Sequence, residues 1–135
     1  MATLHCEIVT PEGRAFSGEV ERVTVPGLLG EMGVLPRHHA VVVRLKVGET
    51  RVIVDGATQR FATSDGYFEV NGERALVLVE DAVAHDRIDA AAATAAAEDA
   101  RARLQRADAG DEGVDRFRAE RDLAHAENEL KVAGR

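Results

Sequence analysis

The sequence predicts an antiparallel β-sandwich over residues 1–84, followed by an antiparallel αα-hairpin over residues 85–135. Three observations predict this. All three prolines, most of the glycines and nearly all of the β-branched residues lie in the first part. Short apolar runs recur there between turn signals, the pattern of a sandwich or barrel. The second part has no proline and is rich in alanine, the strongest helix former.

The strand-like runs are LHCEIV, EVERVTV, HAVVVRL, TRVIV, QRFAT, GYFEV and RALVLV. Several alternate with period two, as at Val23 and Val25, or over Arg51, Val52, Ile53 and Val54. Such alternation turns one face inward. Asp55-Gly56, Asp65-Gly66 and Asn71-Gly72 are dipeptides that tight hairpins favour. The stretch Pro26 to Pro36, PGLLGEMGVLP, holds three glycines between two prolines and predicts a long connection. Its Leu28, Leu29, Met32 and Val34 either tuck onto the sheet or form a contact loop with an apolar tip and one acid, Glu31. The residues alone leave both readings open.

In the second part Asp86 is the expected helix cap, with Asp89 favouring the positive end of the helix dipole. The first helix is expected to run to about Ala107. Asp108 to Gly113 reads as a turn, and a second helix as Val114 to Ala133. Ala93, Ala97, Ala100, Leu104 and Ala107 follow helical spacing, as do Ala119, Leu123, Ala126, Leu130 and Ala133. Each set makes one narrow seam. An antiparallel hairpin brings Arg101, Arg103 and Arg106 near Arg116, Arg118 and Arg121. Arginine complements a helix C-terminus but not an N-terminus. The cluster is either a solvated face with pairs such as Asp99–Arg103, or a docking face for an acidic partner.

Composition narrows the function. The net charge is −7 and the pI near 5.2, which argues against a nucleic-acid binder and against anionic lipid heads. No apolar run approaches the ~18 residues of a membrane span. The start, MATLHCEIV, lacks the pattern of a signal peptide, so a soluble, cytosolic chain is expected. Cys6, the single cysteine, reads as a buried thiol. No phosphate loop, GxSxG, HExxH or CxxC occurs. His38 and His39 are neighbours on a strand and point apart, so they are poor joint metal ligands. No enzyme, cofactor or metal site is expected.

Residues Val9 to Gly48, with FSGEVERV and GEMGVLP at their centre, resemble the epsilon subunit of bacterial F-type ATP synthases. FATSDGYFEV, the junction EDAVAHDRID and the alanine-rich helix pair continue the likeness along the whole chain. The resemblance implies a sandwich of about ten strands and a helical hairpin. It implies a non-catalytic central-stalk subunit on the cytoplasmic face of the plasma membrane, peripheral and without membrane insertion. It would couple proton-driven rotation of the c-ring to ATP synthesis on the alpha and beta subunits. Gly30, Glu31, Met32 and Gly33 match the family loop that touches the c-ring, and His38 lies where the family faces gamma. The hairpin would be a mobile inhibitor of ATP hydrolysis, with its arginines facing an acidic loop of beta.

The chain departs from the family pattern twice. Val41 stands where a proline is common. Ile88 and Asp89 match the start of the family's "I-D-x-x-R-A" nucleotide motif, but Ala92 replaces its arginine. A methyl group cannot pair with phosphate, so ATP binding is expected to be weak or absent. The alternative from another class is a stand-alone sandwich with a helical dimerisation tail.

Overall fold

The computed structural model describes residues 2–135. The chain divides into two compact units between His85 and Asp86.

The first unit holds ten strands. They are β1 (Leu4–Thr10), β2 (Gly13–Val20), β3 (Arg22–Gly27), β4 (Gly30–Val34), β5 (His38–Leu45), β6 (Gly48–Val54), β7 (Ala57–Thr63), β8 (Gly66–Gly72), β9 (Arg74–Val79) and β10 (Ala82–Ala84). One layer has the order β10-β7-β6-β3-β4, the other β5-β8-β9-β1-β2. The two join at a single antiparallel pair, Gly27 with Leu45. A β-carbon on Gly27 would stand 2.7 Å from the Gly30 carbonyl oxygen, so the joint needs glycine.

Alternation fills the space between the layers. Leu4, Cys6 and Ile8 of β1, Val23 and Val25 of β3, Val52 of β6 and Phe68 of β8 are all buried. Phe16 packs edge-on to Phe61, with ring centroids 6.0 Å apart. The Thr50 and Thr63 hydroxyls, both buried, bond each other at 2.9 Å, which satisfies two polar groups inside the layer. Burial pushes the Cys6 thiol up to about 12, aided by the charge of Glu7, so the sulfur stays a neutral packing group.

Four sequence expectations on the sandwich need correction. Pro26 to Pro36 is not an open connection. Most of it folds into the β3–β4 hairpin with Leu28-Leu29 as its turn, because Val23, Val25 and Val34 all reach the core. Asp65-Gly66 does not turn a hairpin. It carries the chain from β7 to β8, which lie in different layers. The β8–β9 link is the pair Gly72-Glu73, one residue past the expected dipeptide, with Gly72 at φ +52°. The sandwich is also not wholly antiparallel, since β1 pairs with β9 in parallel. Asp55-Gly56 does form the two-residue turn of β6–β7, with both residues at positive φ.

A single 3-10 turn, His85–Arg87, spans the division, and the second unit holds α1 (Ala90–Asp108) and α2 (Arg116–Ala133). Asp86 lies in that turn and is not the cap. Asp89 caps α1 instead, and Asp115 caps α2 by accepting from the Arg118 N–H at 3.1 Å. The second helix therefore starts two residues later than expected. Ala93, Ala97, Ala100, Ala119 and Ala126 are buried along the seam. Leu104, Leu123 and Leu130 are only half-buried, while Val132, outside the expected seam, is 1% exposed.

Candidate functional site

Three surfaces carry the residues singled out from sequence. The first is the β3–β4 hairpin. Pro26 pairs with Glu31 and Gly27 with Gly30, which leaves Leu28 and Leu29 at the tip. Leu29 is 102% exposed and Leu28 53%. Gly30 has φ +145°, open to glycine and strained for other residues. The Arg22 guanidinium lies against Gly33, where a β-carbon would meet its Nη2 at 2.6 Å. Met32 is half-buried and packs against the core. Glu31 is held by two bonds from Arg51, at 2.8 and 3.0 Å.

Sequence reading missed the network behind Glu31. Arg51 also donates to Glu49 at 2.9 Å, and Arg60 donates to the same Glu49 oxygen at 2.8 Å. The hydrogen bonds to Glu31 and then to Glu49 raise the Arg51 pKa further above its ordinary value, so its charge is permanent. The available signal was the i, i+2 spacing of Glu49 and Arg51, which puts both on one face of a strand.

The second surface is the outward face of β5, β8, β9 and β1. The cross-strand rows Val42–Glu69–Leu76 and Arg44–Tyr67–Leu78 lie on it. Val42, Tyr67 and Leu78 are exposed there. A cleft of about 610 Å³ on this face is lined by His5, Glu7, Val42, Glu69, Arg74 and Leu76, among others. His38 begins β5. Its ring is half-buried, and Nδ1 donates to the His39 carbonyl oxygen at 2.8 Å. A bulge follows between His38 and Val41.

The third surface is the arginine-rich end of the helical hairpin. Arg103 donates to Asp99 at 3.0 Å and to Asp122 of the facing helix at 2.9 Å. Those carboxylates, Asp122 first, raise its pKa. Arg101 pairs with Glu127 at 3.3 Å, Arg106 with Asp111 at 3.7 Å, and Arg116 with Asp108. Arg118 is exposed, and its guanidinium has no acidic partner among the described residues. Phe117 beside it is 74% exposed. The structure therefore brings the arginines into one region but gives most of them a carboxylate of the same hairpin.

At the start of α1, Asp89 accepts from the backbone N–H of Ala92 at 3.0 Å. Its carboxylate serves as the cap, and Ile88 beside it is half-buried. Among the described residues no group of three or more His, Cys, Asp or Glu is arranged to hold a metal ion. No helix among them is long and apolar enough to cross a membrane.

This architecture can be set beside known proteins. Residues 3–85 match the family model of the ATP synthase delta/epsilon chain β-sandwich domain. The ATP synthase epsilon chain of Halalkalibacterium halodurans is 41% identical over 135 residues, all of both chains. That of Desulforamulus reducens is 42% identical over 131 residues, 97% of each. Among solved structures, a chain of the Euglena gracilis mitochondrial ATP synthase, in an assembly of OSCP, F1 and c-ring, superposes with a TM-score of 0.81. It is 28% identical and covers all of this chain and 83% of its own. A matched sandwich, full-length relatives and a shared fold give one conclusion: the chain belongs to the ATP synthase delta/epsilon chain family.

Proposed function

We propose that this chain is the epsilon-type subunit of the central stalk of an F-type ATP synthase, and that its two units have separate tasks. It is a subunit of the complex and not the catalytic one. The sandwich takes the coupling role. The β3–β4 hairpin, with Gly30, Glu31, Met32 and Gly33, meets the c-ring. The outward face of β5, β8 and β9, with His38 at its edge, meets gamma. Exposed Val42, Tyr67 and Leu78 supply apolar area for that contact. As a peripheral part of the complex, the chain works on the cytoplasmic face of the plasma membrane, and the rotation it transmits is driven by protons.

The helical hairpin takes the regulatory role. Its seam is mostly alanine, and one buried methyl contributes only about 0.8 kcal/mol. Shifting a two-state element from 1:99 to 99:1 takes about 5.5 kcal/mol. A partner can supply that. Arg101, Arg103, Arg106 and Arg116 would exchange carboxylates of the hairpin for those of an acidic loop on beta, which Arg121 would also face. Arg118 can engage without giving up a partner. Exchange of one exposed ion pair for another costs little.

The observation that carries this reading is the division of the chain between His85 and Asp86, which separates a sandwich from a helical hairpin. The test compares ATP hydrolysis by the complex carrying the full chain with that of the complex carrying a chain ended after Ala84. Faster hydrolysis on truncation is expected. Unchanged hydrolysis would remove the inhibitory role and leave the coupling role standing.

A further inference from the structure

Glu31 is the one acid near the tip of the β3–β4 hairpin, yet both its carboxylate oxygens are taken. Arg51 Nη1 donates to Oε2 at 2.8 Å and Nη2 to Oε1 at 3.0 Å. The register explains the reach. Arg51 on β6 sits opposite Thr24 of β3, and Thr24 sits opposite Gly33 of β4. Glu31 is two residues from Gly33 and so on the same face. Gly33 presents no side chain in that row.

An isolated exposed pair contributes little. This one has three features that such pairs lack. It is bidentate, which fixes direction as well as distance. The Arg51 side chain is only 25% exposed. The same guanidinium is anchored on Glu49, whose side chain is 7% exposed and which Arg60 holds from β7. Arg51 is therefore already ordered before it grips Glu31. Moreover, among the described residues β4 pairs with β3 alone. The Arg51–Glu31 bond ties β4 to β6 past its own hairpin partner.

We propose that Arg51 is a positioning residue for the rotor contact. It holds Glu31 and through it sets the angle at which the hairpin tip is presented. Glu31 then acts as a brace, and what the tip offers a partner is the neutral pair Leu28 and Leu29. The inference rests on the reading that this hairpin meets the c-ring.

The test uses the assembled complex in membrane vesicles, with ATP-driven proton pumping read against ATP hydrolysis. Arg51→Ala and Glu31→Gln are each expected to lower pumping per ATP by about two- to fivefold, the scale of one well-made pair. The double variant is expected to lose no more than either single one, because both remove the same bond. Arg51→Lys is expected to recover part of the loss, since it keeps the charge and loses the fork. Normal pumping with Arg51→Ala, or losses that multiply in the double variant, would overturn the proposal. If Arg51→Ala does not fold, Glu31→Gln decides, and normal pumping there overturns it. A photo-crosslinker at Leu29 in the otherwise unchanged chain tests the parent reading separately. Capture of the c subunit with normal pumping in Arg51→Ala removes the brace alone. Failure to capture it removes the contact.

Discussion

The Asp89 carboxylate accepts a hydrogen bond from the backbone N–H of Ala92 at 3.0 Å. Two residues that sequence placed in a nucleotide motif thus serve the helix itself. The acid satisfies one of the orphan N–H groups at the start of α1, and the methyl at Ala92 offers phosphate nothing. Titration of the isolated chain with ATP is expected to show no saturation at micromolar concentration. Affinity at that level would overturn the expectation.

The same cap fixes where α1 begins. Asp89→Ala is expected to lower the stability of the helical unit by about 1 kcal/mol. Asp86→Ala, in the preceding 3-10 turn, is expected to change it by less than about 0.5 kcal/mol. Urea unfolding followed at the helical circular-dichroism band distinguishes the two. A larger loss for Asp86→Ala than for Asp89→Ala would place the cap at Asp86.

The alanine seam leaves no room for larger groups. Ala100 and Ala119 are both completely buried. Ala100→Leu is expected to destabilise the hairpin by about 1–3 kcal/mol through overpacking. Alanine at an exposed position of the same helix, such as Ala96, is expected to tolerate leucine. Thermal unfolding of the two variants gives the comparison. A stable Ala100→Leu hairpin would show that the helices are spaced more widely.

The buried thiol makes stability pH-dependent in the alkaline range. Cys6 is pushed up to about 12 in the folded chain from an ordinary 9.0. Because the folded value is the higher one, the unfolded chain loses its proton first. The contribution is complete below pH 9 and is lost as pH rises from about 9 towards 12, at a slope near 1.4 kcal/mol per pH unit. Urea midpoints at pH 8 to 10.5 are expected to fall more steeply for the native chain than for Cys6→Ala. Parallel slopes would mean that the thiol ionises in place.

Gly66 is required by packing and not by a turn. A β-carbon there would collide with the carbonyl oxygen of Leu78 on β9. Gly66→Ala is expected to cost more than about 2 kcal/mol or to prevent folding. Gly13→Ala, where no atom lies within 4 Å, is expected to cost less, from its φ of +130° alone. Expression and thermal unfolding of both variants check the order.

These residues also divide what is local from what is not. Period-two runs and the Asp55-Gly56 turn were legible because each is written in adjacent residues. The alanine seam was legible because helical spacing repeats within one element. Val132 was not, because it falls outside the helical spacing of the seam residues. Leu104, Leu123 and Leu130 were expected in the seam but are only half-buried, since two helices cannot cover a leucine from every side. Of the candidate site, Glu31 was legible and Arg51 was not, as they lie 20 residues apart and meet only across β3.

The sequence by itself determined the two-part architecture, the strand faces and the family. It did so through periodicity, turn chemistry and short motifs, all of which act over a few residues. Only the tertiary structure decided that Asp65-Gly66 crosses between layers, that β1 runs parallel to β9, and that Glu31 is braced and not free. Strand pairing and ion pairing over long separations are settled by the closure of the whole sheet, and closure leaves no mark on any one stretch of the chain.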